Sequence, residues 1–231
     1  MDIFDFANKE WNKYLYQMCS NYIECKISFV LNKEILNISD CADDAFKVEI
    51  KNGNGIIISS NERSCLLATY ECLYRLGCIF YSPEEENVPT GLIIEDINLS
   101  FSFKAADRYR GVAPCAPKEI NSYISFIKWL PKVGYNSIFF EGWSGYLSYR
   151  SWYHHEENPY LVKEENFSLK KALEYDEQCI RLAKDMGLIV HAMGHGWNVA
   201  CISNGCLLFG VKQNLPHTLI EVPVSILDTS G

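Results

Sequence analysis

Three short stretches gather the side chains best suited to chemistry: Arg110 with Gly111, Glu141 with Gly142 and Trp143, and His191 followed by Gly194, His195, Gly196 and Trp197. Arg, Glu and His exchange hydrogen bonds with hydroxyl groups, and an indole covers the flat C–H face of a sugar ring. Aromatic and charged residues meeting at one rim predict carbohydrate recognition, with Arg110, Glu141, Trp143, His191, His195 and Trp197 as substrate-binding candidates. Each stretch also has a purely structural reading: Arg110 paired with a carboxylate, Glu141 as a solvated surface charge, Trp143 and Trp197 as rim packing.

His191 and His195 are four apart, which on a helix would suggest a metal pair, but they fall in a strand and the glycine loop after it. On an extended strand they would lie about 13 Å apart, too far for one ion. No metal and no cofactor is expected, and a metal-dependent hydrolase is a distant alternative. The acidic runs at Glu84 to Glu86, Glu156 with Glu157, Glu164 with Glu165 and Asp176 with Glu177 read as solvated faces. His154 and His155 belong to the long aromatic loop SGYLSYRSWYHHEENPY, and nucleophile-elbow, phosphate-loop and dinucleotide fingerprints are all absent.

The elements that must position these residues follow from periodicity. From Lys104 onward the chain reads strand, helix, strand, helix, strand: RYRGVA at 108–113, a stripe of Ile120, Ile124, Ile127, Leu130 and Val133 stopped by Pro131 and Gly134, YNSIFFEG at 135–142, a helix at 168–186, and LIVHAM at 188–193. Such a β/α series predicts a parallel sheet with functional groups in the loops after its strands. The reading puts Arg110 and Gly111 after the first strand.

Residues 1–104 predict a small α+β domain. A helix at 5–19 carries Phe6, Ala7, Trp11, Tyr14, Leu15 and Met18, and CKISFVL at 25–31 is a strand. AFKVEI and GIIISS form a hairpin around KNGN, residues 62–76 form a helix capped by Gly77, CIFYS is a short strand, and LIIEDINLSFSF at 92–103 is one or two strands. The fold class expected is α/β, with this domain followed at 105–197 by an incomplete (β/α) barrel. Residues 198–231 lose both charge and periodicity and are read as an atypical tail, of the kind a frameshift or truncation produces.

Bulk composition narrows the setting. The 231 residues are 48% hydrophobic and 22% charged, with 29 acidic against 21 basic side chains and a net charge of −8, which excludes a disordered chain. Lys and Arg are not clustered, so no nucleic acid partner is expected. Neither a membrane span nor a signal peptide is evident, and the protein reads as cytoplasmic. The 10 cysteines contain no C-x-x-C pair and are expected to be reduced, mostly buried thiols.

At RYRGV, WLPKVGYNSIFFE and GLIVHAMGHGW the sequence resembles a bacterial group of glycosidase-like proteins related to glycoside hydrolase family 20 and to the α-glucuronidases. GIIISSNERSCLLATYECLYRLGCIFYSPEEENVP is similar to the small α/β domain that precedes the barrel in those enzymes. The resemblance implies a (β/α)₈ catalytic domain, a sugar-holding role for Arg110 and a pocket-lining role for His195. In family 20 the catalytic acid is a Glu in an adjacent Asp-Glu pair after the fourth strand. No such pair follows the third strand here; Glu221 and Asp228 are the only carboxylates beyond Trp197. The chain alone is therefore expected to be inactive, with a non-catalytic carbohydrate-binding or interaction module as the rival reading. The residues after Lys104 are also too few for the roughly 250 a closed barrel takes, so self-association through the incomplete barrel is expected.

Overall fold

A computed structural model describes residues 2–34, 36–114, 120–140 and 169–192. It is a mixed α/β fold in which the described residues form no closed barrel.

The chain opens with helix α1 (Ile3–Met18), whose first turn is closed by the Asp2 carboxylate accepting from the N–H groups of Phe4 and Asp5. Ile3, Ala7, Trp11, Tyr14, Leu15 and Met18 recur at helical spacing and are buried. Strands β1 (Ile27–Leu31), β2 (Ala45–Lys51) and β3 (Asn54–Ser59) follow. The β2–β3 turn places Asn52 at φ 50° and Gly53 at φ 75°, the left-handed pair that matches the twist of a tight hairpin. Helix α2 (Glu62–Arg75) starts on Asn61, which accepts from the Ser64 N–H, and ends before Gly77 at φ 101°. Its burial exceeds the expected stripe, for Leu66, Leu67, Thr69 and Tyr70 are inward as well.

A short antiparallel ribbon, β4 (Ile79–Phe80) with β5 (Glu86–Asn87), occupies a region read as one strand and a loop. The expected strand from residue 92 begins only at β6 (Leu99–Lys104), because Ile94–Asp96 coil into a 3-10 turn that buries Ile94 and Ile97. These strands form a mixed sheet of order β1-β3-β2-β6, in which β1 runs parallel to β3 and the other pairs are antiparallel.

Beyond Lys104 lie β7 (Gly111–Val112), helix α3 (Ile120–Trp129), β8 (Ser137–Phe140), helix α4 (Leu169–Asp185) and β9 (Ile189–Ala192). A 3-10 turn over Leu130–Val133 and Gly134 at φ 85° turn the chain from α3 into β8. The three strands form one parallel sheet of order β7-β8-β9. On α4 the buried positions include Ala172, Asp176, Cys179 and Ala183. Asp176 is thus inside the helix's buried stripe and not on the solvated face expected for it.

Residues up to Phe140, together with Cys179–Ala192, belong to one compact unit. Within it the Trp129 indole of α3 donates to the Phe80 carbonyl of β4 at 3.1 Å, and the two larger sheets are joined by the side-chain network described next. Residues 198–231, read as a tail, lie outside the described residues. No helix among the described residues is long and apolar enough to cross a membrane.

Candidate functional site

Asp44, just before β2, is the most heavily bonded carboxylate of the described structure, with no side-chain exposure. One oxygen accepts from Arg63 Nε at 2.9 Å and Nη2 at 2.7 Å, from Ser64 Oγ at 2.9 Å and from Asn61 Nδ2 at 3.1 Å. The other accepts from Arg110 Nη2 and Asn136 Nδ2, both at 2.7 Å. Burial by itself would raise the Asp44 carboxyl, but the bonds and charges of Arg63 and Arg110 hold it below the usual carboxylate value.

Arg110 is therefore placed differently from the expectation. It precedes β7 instead of following it, because its N–H donates to the Asn136 side chain at 2.8 Å and the parallel ladder starts only at Gly111. It thus lies at the N-terminal end of the sheet, opposite the rim where ligands meet parallel strands. Its guanidinium also donates from Nε to the Gly134 carbonyl at 2.9 Å and from Nη1 to the Asp107 carbonyl at 2.7 Å. The carboxylate-pairing alternative describes this geometry. Neighbouring Arg108 binds Asp40 at 2.8 Å and Asp43 at 2.7 Å, so three arginines converge on the loop that leads into β2.

His191 has a different environment. It sits on β9 directly across from Phe139 on β8, stacks on that ring at 4.8 Å and 19°, and meets the edge of Tyr109 at 5.6 Å and 85°. Helix α3 covers the opposite face, where Tyr123 packs on Phe140 at 5.6 Å. Phe139 is 38% and Tyr109 55% exposed, so an aromatic and imidazole row lines the face away from α3. Gly111 lies beneath this row: a Cβ there would approach the Phe139 ring to 2.8 Å and Ser137 Oγ to 2.6 Å. Ser137 Oγ and His191 Nε2 are both buried and have no hydrogen-bond partner among the described residues. Such atoms favour any hydroxyl or water able to reach them, since an unpaired buried polar atom costs about 1–3 kcal/mol.

Glu141, Trp143, His195 and Trp197 lie outside the described residues. The structure therefore places Arg110 and His191 alone among the six candidates, and it does not bring them together: one is bound to Asp44 below the sheet, the other stacks on its face. Asp44, Asn136, Tyr109, Ser137 and Phe139 were missed. Only alternation in SIFF, with Phe139 outward between the buried Ile138 and Phe140, hinted at the last.

A second polar cluster ties α1 to the chain beyond α3. The Tyr14 hydroxyl donates to Glu86 at 2.7 Å, and Lys132 Nζ donates to that hydroxyl at 2.7 Å and to Glu86 at 2.9 Å. Burial and the Glu86 carboxylate push the Tyr14 hydroxyl far above its ordinary value, so it remains a donor at any physiological pH. The described cysteines are free thiols, and all but Cys41 are buried. Burial pushes Cys65 and Cys78 up to about 12, which keeps them protonated and unreactive. Among the described residues no group of three His, Cys, Asp or Glu side chains is arranged to hold a metal ion.

No protein-family model, no curated protein and no solved structure matches this chain.

Proposed function

We propose that this is a glycosidase-like protein of the group related to glycoside hydrolase family 20 and the α-glucuronidases, and that the chain recognises a carbohydrate without cleaving it. The single observation behind this reading is the row of Tyr109, His191 and Phe139 on the face of a parallel sheet turned away from α3. Aromatic faces suit the C–H surfaces of sugar rings, and the unbonded His191 nitrogen suits their hydroxyls. The strand order β7-β8-β9, parallel and never reversing, is compatible with the opening units of a β/α barrel, in which that face would be interior. Inactivity follows from the lack of an adjacent Asp-Glu pair after β9: general acid catalysis alone contributes about 10²–10⁴-fold.

The test is a pair of measurements on the full chain. Aryl N-acetylhexosaminides and aryl glucuronides should show no turnover above buffer, whereas titration calorimetry with the parent sugars and their oligomers should detect binding. His191→Ala should weaken that binding by about tenfold, equivalent to about 1.4 kcal/mol. Turnover that disappears in His191→Ala would overturn the claim of inactivity, and absence of binding to every sugar tested would overturn recognition.

A further inference from the structure

The four-stranded sheet has two edges, and they are treated differently. Along β1 the side chains of α1 stand in for a neighbouring strand. Asn8 accepts from the Ile27 N–H at 2.9 Å and donates to the Ile27 carbonyl at 3.0 Å. Asn12 does the same for Cys25 at 2.8 and 2.7 Å. Two amides one helical turn apart thus satisfy alternate residues of an extended segment, which blunts that edge.

On β6 no such cap is found among the described residues. Ala45 uses its backbone N–H and carbonyl on Ser60, on the β3 side, so Phe46 faces β6. The register pairs Phe46 with Phe103, Val48 with Phe101 and Ile50 with Leu99. By alternation the backbone groups of Ser100, Ser102 and Lys104 point outward from the sheet edge. These three side chains are exposed, and Phe103 is exposed on the other face even though its ring stacks on Phe46 at 5.0 Å.

We propose that this edge is an interface with a second copy of the chain, formed by antiparallel pairing of β6 with its equivalent about a two-fold axis at Ser102. The segment Leu-Ser-Phe-Ser-Phe-Lys is self-complementary in that register. Ser102 meets Ser102, each Phe103 lies across from the other copy's Phe101, and each Lys104 lies across from Ser100, so no like charges oppose. The pairing covers the exposed part of Phe103 and completes the outward hydrogen bonds. It differs from association through an open parallel sheet, because it uses the opposite portion of the chain. A single pair of short strands buries less than a standard interface of about 1,200 Å², which makes the dimer a weak and reversible one.

Cysteine cross-linking of the full chain tests the register. A hydrogen-bonded antiparallel pair has Cα atoms about 5.5 Å apart, inside the range a disulfide spans. Under mild oxidation Ser102→Cys should yield a linked dimer absent from the unsubstituted protein, while Ser100→Cys, several residues from its own equivalent, should not. In sedimentation, the mass should rise from one copy toward two with concentration, and Ser102→Lys, which sets two like charges opposite each other on the two-fold from an exposed side chain, should hold it at one copy without altering the thermal transition. A protein that stays monomeric at every concentration, or cross-linking equal for the two cysteine variants, would overturn the proposal.

Discussion

Asp44→Ala is expected to lower the melting temperature by about 10 °C. Removing one partner of a buried ion pair costs about 3–5 kcal/mol, because the surviving charge is left uncompensated. Here two guanidinium groups would be stranded, Arg63 at 12% and Arg110 at 23% side-chain exposure. For a chain of about 150–250 residues each kcal/mol moves the transition by about 2–4 °C. Thermal unfolding followed by circular dichroism at neutral pH reads the effect, and a shift below about 2 °C would mean that the network does not hold the two sheets together. The pH dependence has a definite sign. The folded carboxyl lies below its unfolded value of about 3.9, so its contribution is complete above that pH and is lost as pH falls through the lower folded value. The difference between the wild type and Asp44→Asn should accordingly shrink on acidification.

Trp11 carries the second large effect. It has no exposure, and its indole N–H donates to the Gly53 carbonyl at 2.9 Å, which ties α1 to the β2–β3 turn. That turn is crowded: Gly53 donates to the Ile97 carbonyl at 3.1 Å, and a Cβ at Gly53 would come within 2.6 Å of Cys25 Sγ. Trp11→Ala should cost about 3–5 kcal/mol, since it removes the largest side chain of the core and leaves a cavity. Trp11→Phe keeps most of the volume but strands the Gly53 carbonyl, at about 1–3 kcal/mol. Urea midpoints should fall in the order wild type, Phe variant, Ala variant, with unchanged slopes. Equal midpoints for the two variants would show that the hydrogen bond accounts for the whole effect and the packing for none.

Legibility in the sequence followed the range of the interactions. Helix α1, the hairpin and α2 were readable because their apolar spacing, the Asn52-Gly53 turn and Gly77 act over a few residues. The parallel arrangement of β7, β8 and β9 was readable from the alternation of strands and helices. The β4–β5 ribbon was not, for Glu86 and Asn87 are polar and carry no strand signal of their own, and they pair with Phe80 and Ile79 across a turn. The 3-10 turn at Ile94–Asp96 was concealed by apolar residues that suit a strand equally well. Asp176 was read as solvated because a carboxylate ordinarily is.

The candidate site divided along the same line. The sequence by itself determined the residue types, the strand and helix order and the alternation that sets Phe139 against Ile138 and Phe140. Tertiary structure decided what Arg110 and His191 touch. Arg110 binds Asp44, which is 66 positions away in the chain, and His191 stacks on Phe139 across a parallel ladder. Neither partner follows from spacing, because a buried charge takes whichever carboxylate the packed sheets bring within hydrogen-bond reach, and parallel neighbours are joined only through a helix.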